Sequence, residues 1–285
     1  MPKCNVCHNH CSLEEGQIGL CKARICRGGE VVARNYGHIT SIALDPIEKK
    51  PLNLFYPGSN IISVGSYGCN LRCPFCQNHE IAQREGGEFQ ADTRDLSPAM
   101  LAEMAEGCRD LGNIGVAYTY NEPLVCWEYV HDTAKLVHEK GMLNVMVTNG
   151  CADLGILEKL SPCIDAMNID LKGFTDRYYS EILGGDRKMV MDFIREAAKH
   201  CHVELTTLVV PGENDSEEEM RELSQWIAGL PEVSGGRQGR EIPLHISRFF
   251  PRYHMAGKRP TDVKKIYSLV DIARENLLYV YPGNC

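Results

Sequence analysis

Ser66-Tyr67-Gly68-Cys69-Asn70-Leu71-Arg72-Cys73-Pro74-Phe75-Cys76-Gln77-Asn78 decides how this chain of 285 residues is read. Three cysteines stand at C-x3-C-x2-C spacing on one short loop, directly after the apolar run Ile61-Ile62-Ser63-Val64-Gly65, which reads as a strand. A structural zinc site or an ordinary electron-transfer cluster takes four protein ligands. Three thiolates on a four-iron cubane instead leave one iron open to a small molecule. An aromatic residue, Phe75, precedes the last cysteine. A loop of unpaired or zinc-bound cysteines is the bland alternative, against which stand the close spacing and the preceding strand.

Outward from this loop, apolar β runs alternate with amphipathic helices. Strands are expected over residues 61–65, 114–118, 144–148, 165–171, 203–210 and 242–246, with a short seventh over 277–281. Ser97 caps a helix that opens on Pro98 and carries Leu101, Met104, Cys108 and Leu111 at three- and four-residue steps. Further helices are expected over 127–140, 189–200 and 261–276, and the capping box Ser216-Glu217-Glu218-Glu219 opens another that runs to residue 230. Six β/α repeats with near-continuous apolar strands predict an α/β fold with a parallel sheet covered by helices. Its simplest closure is a partial (β/α)6 TIM-like barrel over residues 61–285, with chemistry on the loops at the C-terminal ends of the strands.

Polar residues fall at those ends. Tyr120, Asn121 and Glu122 follow the second strand, and Thr148 and Asn149 end the third. In Asn168-Ile169-Asp170-Leu171-Lys172, strand alternation puts Asn168, Asp170 and Lys172 on one face. Three inward polar side chains are costly unless they form an ion pair or bind a ligand. Val210 and Pro211 begin a turn whose backbone could lie along a planar base, or which is simply a turn. His245 and Arg248 on the sixth strand are candidates for the substrate side, with a structural histidine as the competing reading.

Residues 1–36 form a compositionally distinct, Cys-rich metal-binding extension, and residues 37–60, punctuated by Pro46 and Pro51, read as an extended connection into the barrel. Cys4, Cys7, Cys11 and Cys21 supply four soft ligands to a segment with little else to form a core, so it is expected to fold around its metal. Zinc fits this set, and so does a second iron–sulfur cluster serving electron relay. No run of about 18 apolar residues and no apolar leader follows Met1, which predicts a cytoplasmic protein without a membrane partner. In that reducing compartment Cys108, Cys126, Cys151, Cys163 and Cys201 read as small core residues. A formal net charge of -8 offers no basic patch, so a nucleic-acid partner is not expected.

The Tyr-Gly-Cys-Asn-Leu-Arg-Cys-Pro-Phe-Cys-Gln-Asn loop at 67–78, Tyr120-Asn121-Glu122-Pro123, Asp170-Leu171-Lys172 and Val210-Pro211-Gly212 resemble the pyruvate formate-lyase activating enzyme group of the radical S-adenosylmethionine (SAM) superfamily. The four-cysteine head, Asp45-Pro46-Ile47-Glu48-Lys49-Lys50-Pro51-Leu52 and residues 245–251 resemble its AmmeMemoRadiSam branch. The resemblance implies a [4Fe-4S] cluster on Cys69, Cys73 and Cys76, with Phe75 beside it. It implies SAM held by Tyr120, Asn121, Glu122, Thr148, Asn149, Asp170, Lys172, Val210 and Pro211, with Glu122 on the methionyl amino group. Lys172 and His245 would serve the reaction, and a monovalent cation would lie near Asp170. The implied reaction is reductive cleavage of SAM to methionine and a 5′-deoxyadenosyl radical that abstracts hydrogen. Implied partners are a flavodoxin- or ferredoxin-like electron donor and either a glycyl-radical enzyme or AMMECR- and Memo-type proteins acting on a small molecule. A metal-binding scaffold without catalysis is the reading from another class.

Overall fold

The fold was obtained as a computed structural model that describes residues 1–83 and 93–285. The head contains a hairpin, β1 (Arg24–Arg27) and β2 (Glu30–Ala33), turned at Gly28 and Gly29, both at positive φ. Then come β3 (His38–Ile39), β4 (Ser41–Pro46), β5 (Asn60–Gly65), the short helix α1 (His79–Ala82) and β6 (Arg94–Asp95), which pairs antiparallel with β3.

Six helix–strand steps follow. These are α2 (Pro98–Gly107), β7 (Asn113–Tyr118), α3 (Trp127–Glu139), β8 (Leu143–Thr148), α4 (Leu154–Leu160), β9 (Ala166–Asp170), α5 (Arg187–His200), β10 (His202–Val209), α6 (Glu217–Ala228), β11 (Leu244–Arg248), α7 (Val263–Arg274) and β12 (Val280–Gly283). The central sheet runs in the order β12-β11-β10-β9-β8-β7-β5-β4, parallel from β5 to β12, with β4 antiparallel at the edge. This is the expected partial α/β barrel, with the short seventh strand present as β12 and one unexpected strand, β4, added at the other edge. Ser97 and Ser216 cap α2 and α6 through Met100 N and Glu219 N, as their sequences demand.

The outward face of the sheet packs against the helices: Ile62, Val64, Val116 and Met167 share one core with Leu101, Val130, Phe193 and Ile266. The inward face is built differently. Ile47 and Leu52 pack with Ile61, Val145 and Ala166, close to the N-terminal ends of the strands. The span expected as an extended connection thus supplies both the edge strand β4 and a plug for the floor of the barrel.

Glu204 anchors that plug. Its carboxylate is fully buried, accepts the backbone N–H groups of Asn53 at 3.0 Å and Leu54 at 2.7 Å, and meets His202 Nε2 at 3.0 Å and His245 Nε2 at 2.7 Å. Burial pushes the Glu204 carboxyl upward, but the bonds from both histidines and both backbone groups outweigh it and bring the pKa to about 2. A carboxyl depressed in the folded state stabilises the fold above its unfolded value, and that contribution fades as pH falls through the interval down to about 2. Glu204→Ala strands two backbone donors and two imidazoles, and should cost about 3–5 kcal/mol in urea unfolding at neutral pH. A loss below about 1 kcal/mol would refute this role for the floor.

Candidate active site

The cysteine loop is pinned from several sides. Gly68 sits at φ +89°, and Asn121 Nδ2 donates to the carbonyls of Tyr67 and Gly68 while its Oδ1 accepts from Ser66 N. Asn121 therefore ties the end of β5 to the end of β7. Met255 N donates to Pro74 O at 3.1 Å, Tyr253 stacks on His79, and Phe75 meets Phe249 edge-on with centroids 6.4 Å apart.

Beneath the loop lies a cavity of about 290 Å³ at the C-terminal ends of the strands, lined by Cys69, Cys73, Cys76 and Phe75. Tyr120, Asn121, Glu122, Thr148, Asn149, Asp170 and Lys172 line the same cavity, so the structure gathers them with the three thiols. Glu122 is buried and accepts from Thr148 Oγ1 at 2.6 Å, Asn149 N at 2.8 Å and Leu124 N at 3.1 Å. Burial raises its pKa to about 7, against the opposing pull of those bonds. Asp170 Oδ2 and Lys172 Nζ are 2.7 Å apart, and burial, which lowers the ammonium, is overcome by the Asp170 carboxylate, so Lys172 stays charged. Tyr120, at φ +72°, turns its hydroxyl to Asp45 Oδ2 at 3.0 Å.

Other candidates lie elsewhere. Val210, Pro211 and His245 do not line this cavity: Val210 N donates to Asn214 Oδ1, Pro211 O accepts from Lys258 Nζ, and His245 is held by Glu204 and stacked on Tyr281. Thr206, Ser247 and Asn284 line the cavity without having been singled out as binding residues. Thr206 and Ser247 could have been found from alternation, since Thr206 shares a strand face with Glu204, and Ser247 with His245. Asn284 carried no such signal.

Cys4, Cys7, Cys11 and Cys21 line one small cavity with Val6, Arg24 and Val125. Among the described residues, no three His, Cys, Asp or Glu side chains converge on a position for a single ion.

The first cysteine set fits an iron–sulfur cluster by its chemistry. Burial pushes all three thiols upward, Cys73 to about 12 even with Lys172 pulling the other way, so a metal centre is what would make them thiolates. N–H donors already point at sulfur: Leu71 N lies 3.4 Å and Asn149 Nδ2 3.6 Å from Cys69 Sγ. Such donors stabilise sulfur-borne negative charge.

Residues 63–224 match the model of the Radical SAM superfamily. An uncharacterized protein of Methanocaldococcus jannaschii is 37% identical over 99% of this chain and 81% of its own length. A pyruvate formate-lyase-activating enzyme of Clostridium pasteurianum is 28% identical over 58% of this chain and 68% of its own, and a 4-hydroxyphenylacetate decarboxylase activating enzyme of Clostridioides difficile 23% identical over 60% and 56%. Among solved structures, a domain of a pyruvate-formate lyase-activating enzyme from Bacteroides vulgatus superposes with TM-score 0.51 at 15% identity, covering 59% of this chain and 98% of that one. Streptococcus suis SuiB bound to S-adenosylmethionine gives TM-score 0.58 at 17% identity, covering 79% and 52%.

Proposed function

Because this chain belongs to the radical SAM superfamily, we propose that it binds a [4Fe-4S] cluster through Cys69, Cys73 and Cys76 and abstracts hydrogen from a substrate held in the barrel. When bound, the cluster supplies the electron that splits the sulfonium of SAM into methionine and a 5′-deoxyadenosyl radical. The observation that carries the proposal is the convergence of three thiols, Glu122, Asn149, Asp170 and Lys172 on one cavity.

Each side chain has a task suited to its chemistry. Glu122, buried beside Thr148 and Asn149, takes the methionyl ammonium, and Asn149 spans from Cys69 Sγ to Asn70 Oδ1 so that the loop keeps its place. Lys172 offsets the negative charge gathered by the cysteines and Asp170, which is also where a monovalent cation would sit. Phe75 and Leu71, both buried, keep water from the reacting atoms. No helix among the described residues is long and apolar enough to cross a membrane; a cytoplasmic site of action with a flavodoxin- or ferredoxin-like donor suits the reduced thiols.

For the hydrogen donor, the activating enzymes among the relatives support a glycine Cα–H on a glycyl-radical partner. A second reading, a small molecule handled together with AMMECR- and Memo-type proteins, rests on the four-cysteine head at Cys4, Cys7, Cys11 and Cys21 and on the resemblance to the AmmeMemoRadiSam branch. Anaerobically reconstituted protein given SAM and dithionite should release 5′-deoxyadenosine. If none forms, a non-catalytic scaffold becomes the better reading. With candidate glycyl-radical proteins added, a glycyl doublet by electron paramagnetic resonance supports the first donor, and no doublet with any of them supports the second.

A further inference from the structure

We propose that Cys4, Cys7, Cys11 and Cys21 bind a second iron–sulfur cluster, and that it passes electrons to the first through the contact between Cys21 and Cys69. The proposal rests on the radical reading above and concerns how the electron arrives.

Three of the four head cysteines are buried, and all four face one closed cavity rather than solvent. Arg24 lines that cavity at 5% exposure. Its terminal nitrogens are engaged by Glu128 and by Val31 O, yet its buried Nε has no partner. A buried donor left unpaired is costly, and an anionic occupant of the cavity would satisfy it. Four thiolates around a metal centre are such an occupant. The sulfurs surround the cavity, but no three of them converge on a single ion's position. That spread suits the corners of a cubane better than the tight tetrahedron of zinc.

Position argues for a redox centre over an inert one. Cys69 N donates to Cys21 O at 3.1 Å, joining a ligand of one set directly to a ligand of the other. The contact depends on Gly68: a Cβ there would lie 2.5 Å from Cys21 O and 2.8 Å from Ala23 Cβ. Asn9 makes a second bridge, with Nδ2 placed 3.7 Å from Cys7 Sγ and 3.3 Å from Asn70 O. A low-potential one-electron protein donor would reduce the head centre and be oxidised itself. The head centre would then return to its oxidised state by giving that electron to the centre on Cys69, Cys73 and Cys76, with no bond made or broken in the head.

The test uses the full chain, anaerobically reconstituted with iron and sulfide in the presence of zinc. The wild type should carry about eight irons and no zinc, whereas about four irons with one zinc would overturn the proposal. The dithionite-reduced protein should show two paramagnetic signals broadened by mutual coupling; a lone unbroadened signal would also overturn it. Cys7→Ser/Cys11→Ser should lose about half of the iron and the broadening. Its ratio of ferredoxin-driven to dithionite-driven 5′-deoxyadenosine formation should fall at least about tenfold, and an unchanged ratio would remove the relay role. If that variant does not fold, the wild-type metal content and spectrum decide alone. Zinc in the head with 5′-deoxyadenosine still formed defeats this proposal only; about eight irons without 5′-deoxyadenosine defeats the radical reading instead.

Discussion

Cys73→Ala is expected to yield a folded protein with no brown chromophore and no SAM cleavage. Cys73 is 7% exposed and sits between Cys69 and Cys76 on the rim of the cavity, so its loss leaves two thiols to hold a centre that needs three. The fold should barely register the change, since a buried Cys to Ala truncation costs about 1 kcal/mol. Formation of 5′-deoxyadenosine should fall more than about a thousandfold, equivalent to about 4 kcal/mol of lost transition-state stabilisation. Cys163→Ala is the matched control: that thiol is equally buried but bonds only to Leu160 O, and its removal should leave chromophore and turnover as they are. A Cys73→Ala protein that keeps both absorbance and cleavage would end the assignment.

Lys172→Met should be nearly as damaging, by a different route. The ammonium lies 2.7 Å from Asp170 Oδ2 and pulls the Cys73 thiol downward, so one cation serves a carboxylate and a sulfur together. Without it, the Asp170 carboxylate faces the thiolates with nothing between them, a loss worth about 3–5 kcal/mol for a partly buried pair. SAM affinity should drop by at least about a hundredfold, and the yield of reconstituted cluster should fall with it. Asp170→Asn/Lys172→Met should recover part of that loss, because the orphaned charge is gone. Equal SAM binding by Lys172→Met and wild type, measured by equilibrium dialysis, would rule out this role.

The strands and their order of appearance were legible because each is a short apolar run closed by a turn, and the cysteine loop because its spacing is chemically restrictive. α4 escaped notice: it has seven residues, too few for a helical period to emerge, and only its Asp153 cap marks it. Glu122, Asp170 and Lys172 could be found because polar side chains at the ends of buried strands need a reason. His245 shows where that logic stops. Strand alternation gives the face on which it lies, but depth along the strand decides whether an inward residue meets the cavity or the floor. Its partner Glu204 lies 41 positions away in the chain. The fate of residues 47–54 was illegible for a similar cause: their burial depends on Glu204 receiving the backbone of Asn53 and Leu54 across a separation of about 150 positions.

Ile47 and Leu52 seal one mouth of the barrel, and Glu204 staples the seal shut. Side chains therefore fill that end of the barrel, and the cavity lies at the opposite ends of the strands, under the cysteine loop. Under the proposed reaction, both halves of SAM and the hydrogen donor would share the end of the barrel that the plug leaves free.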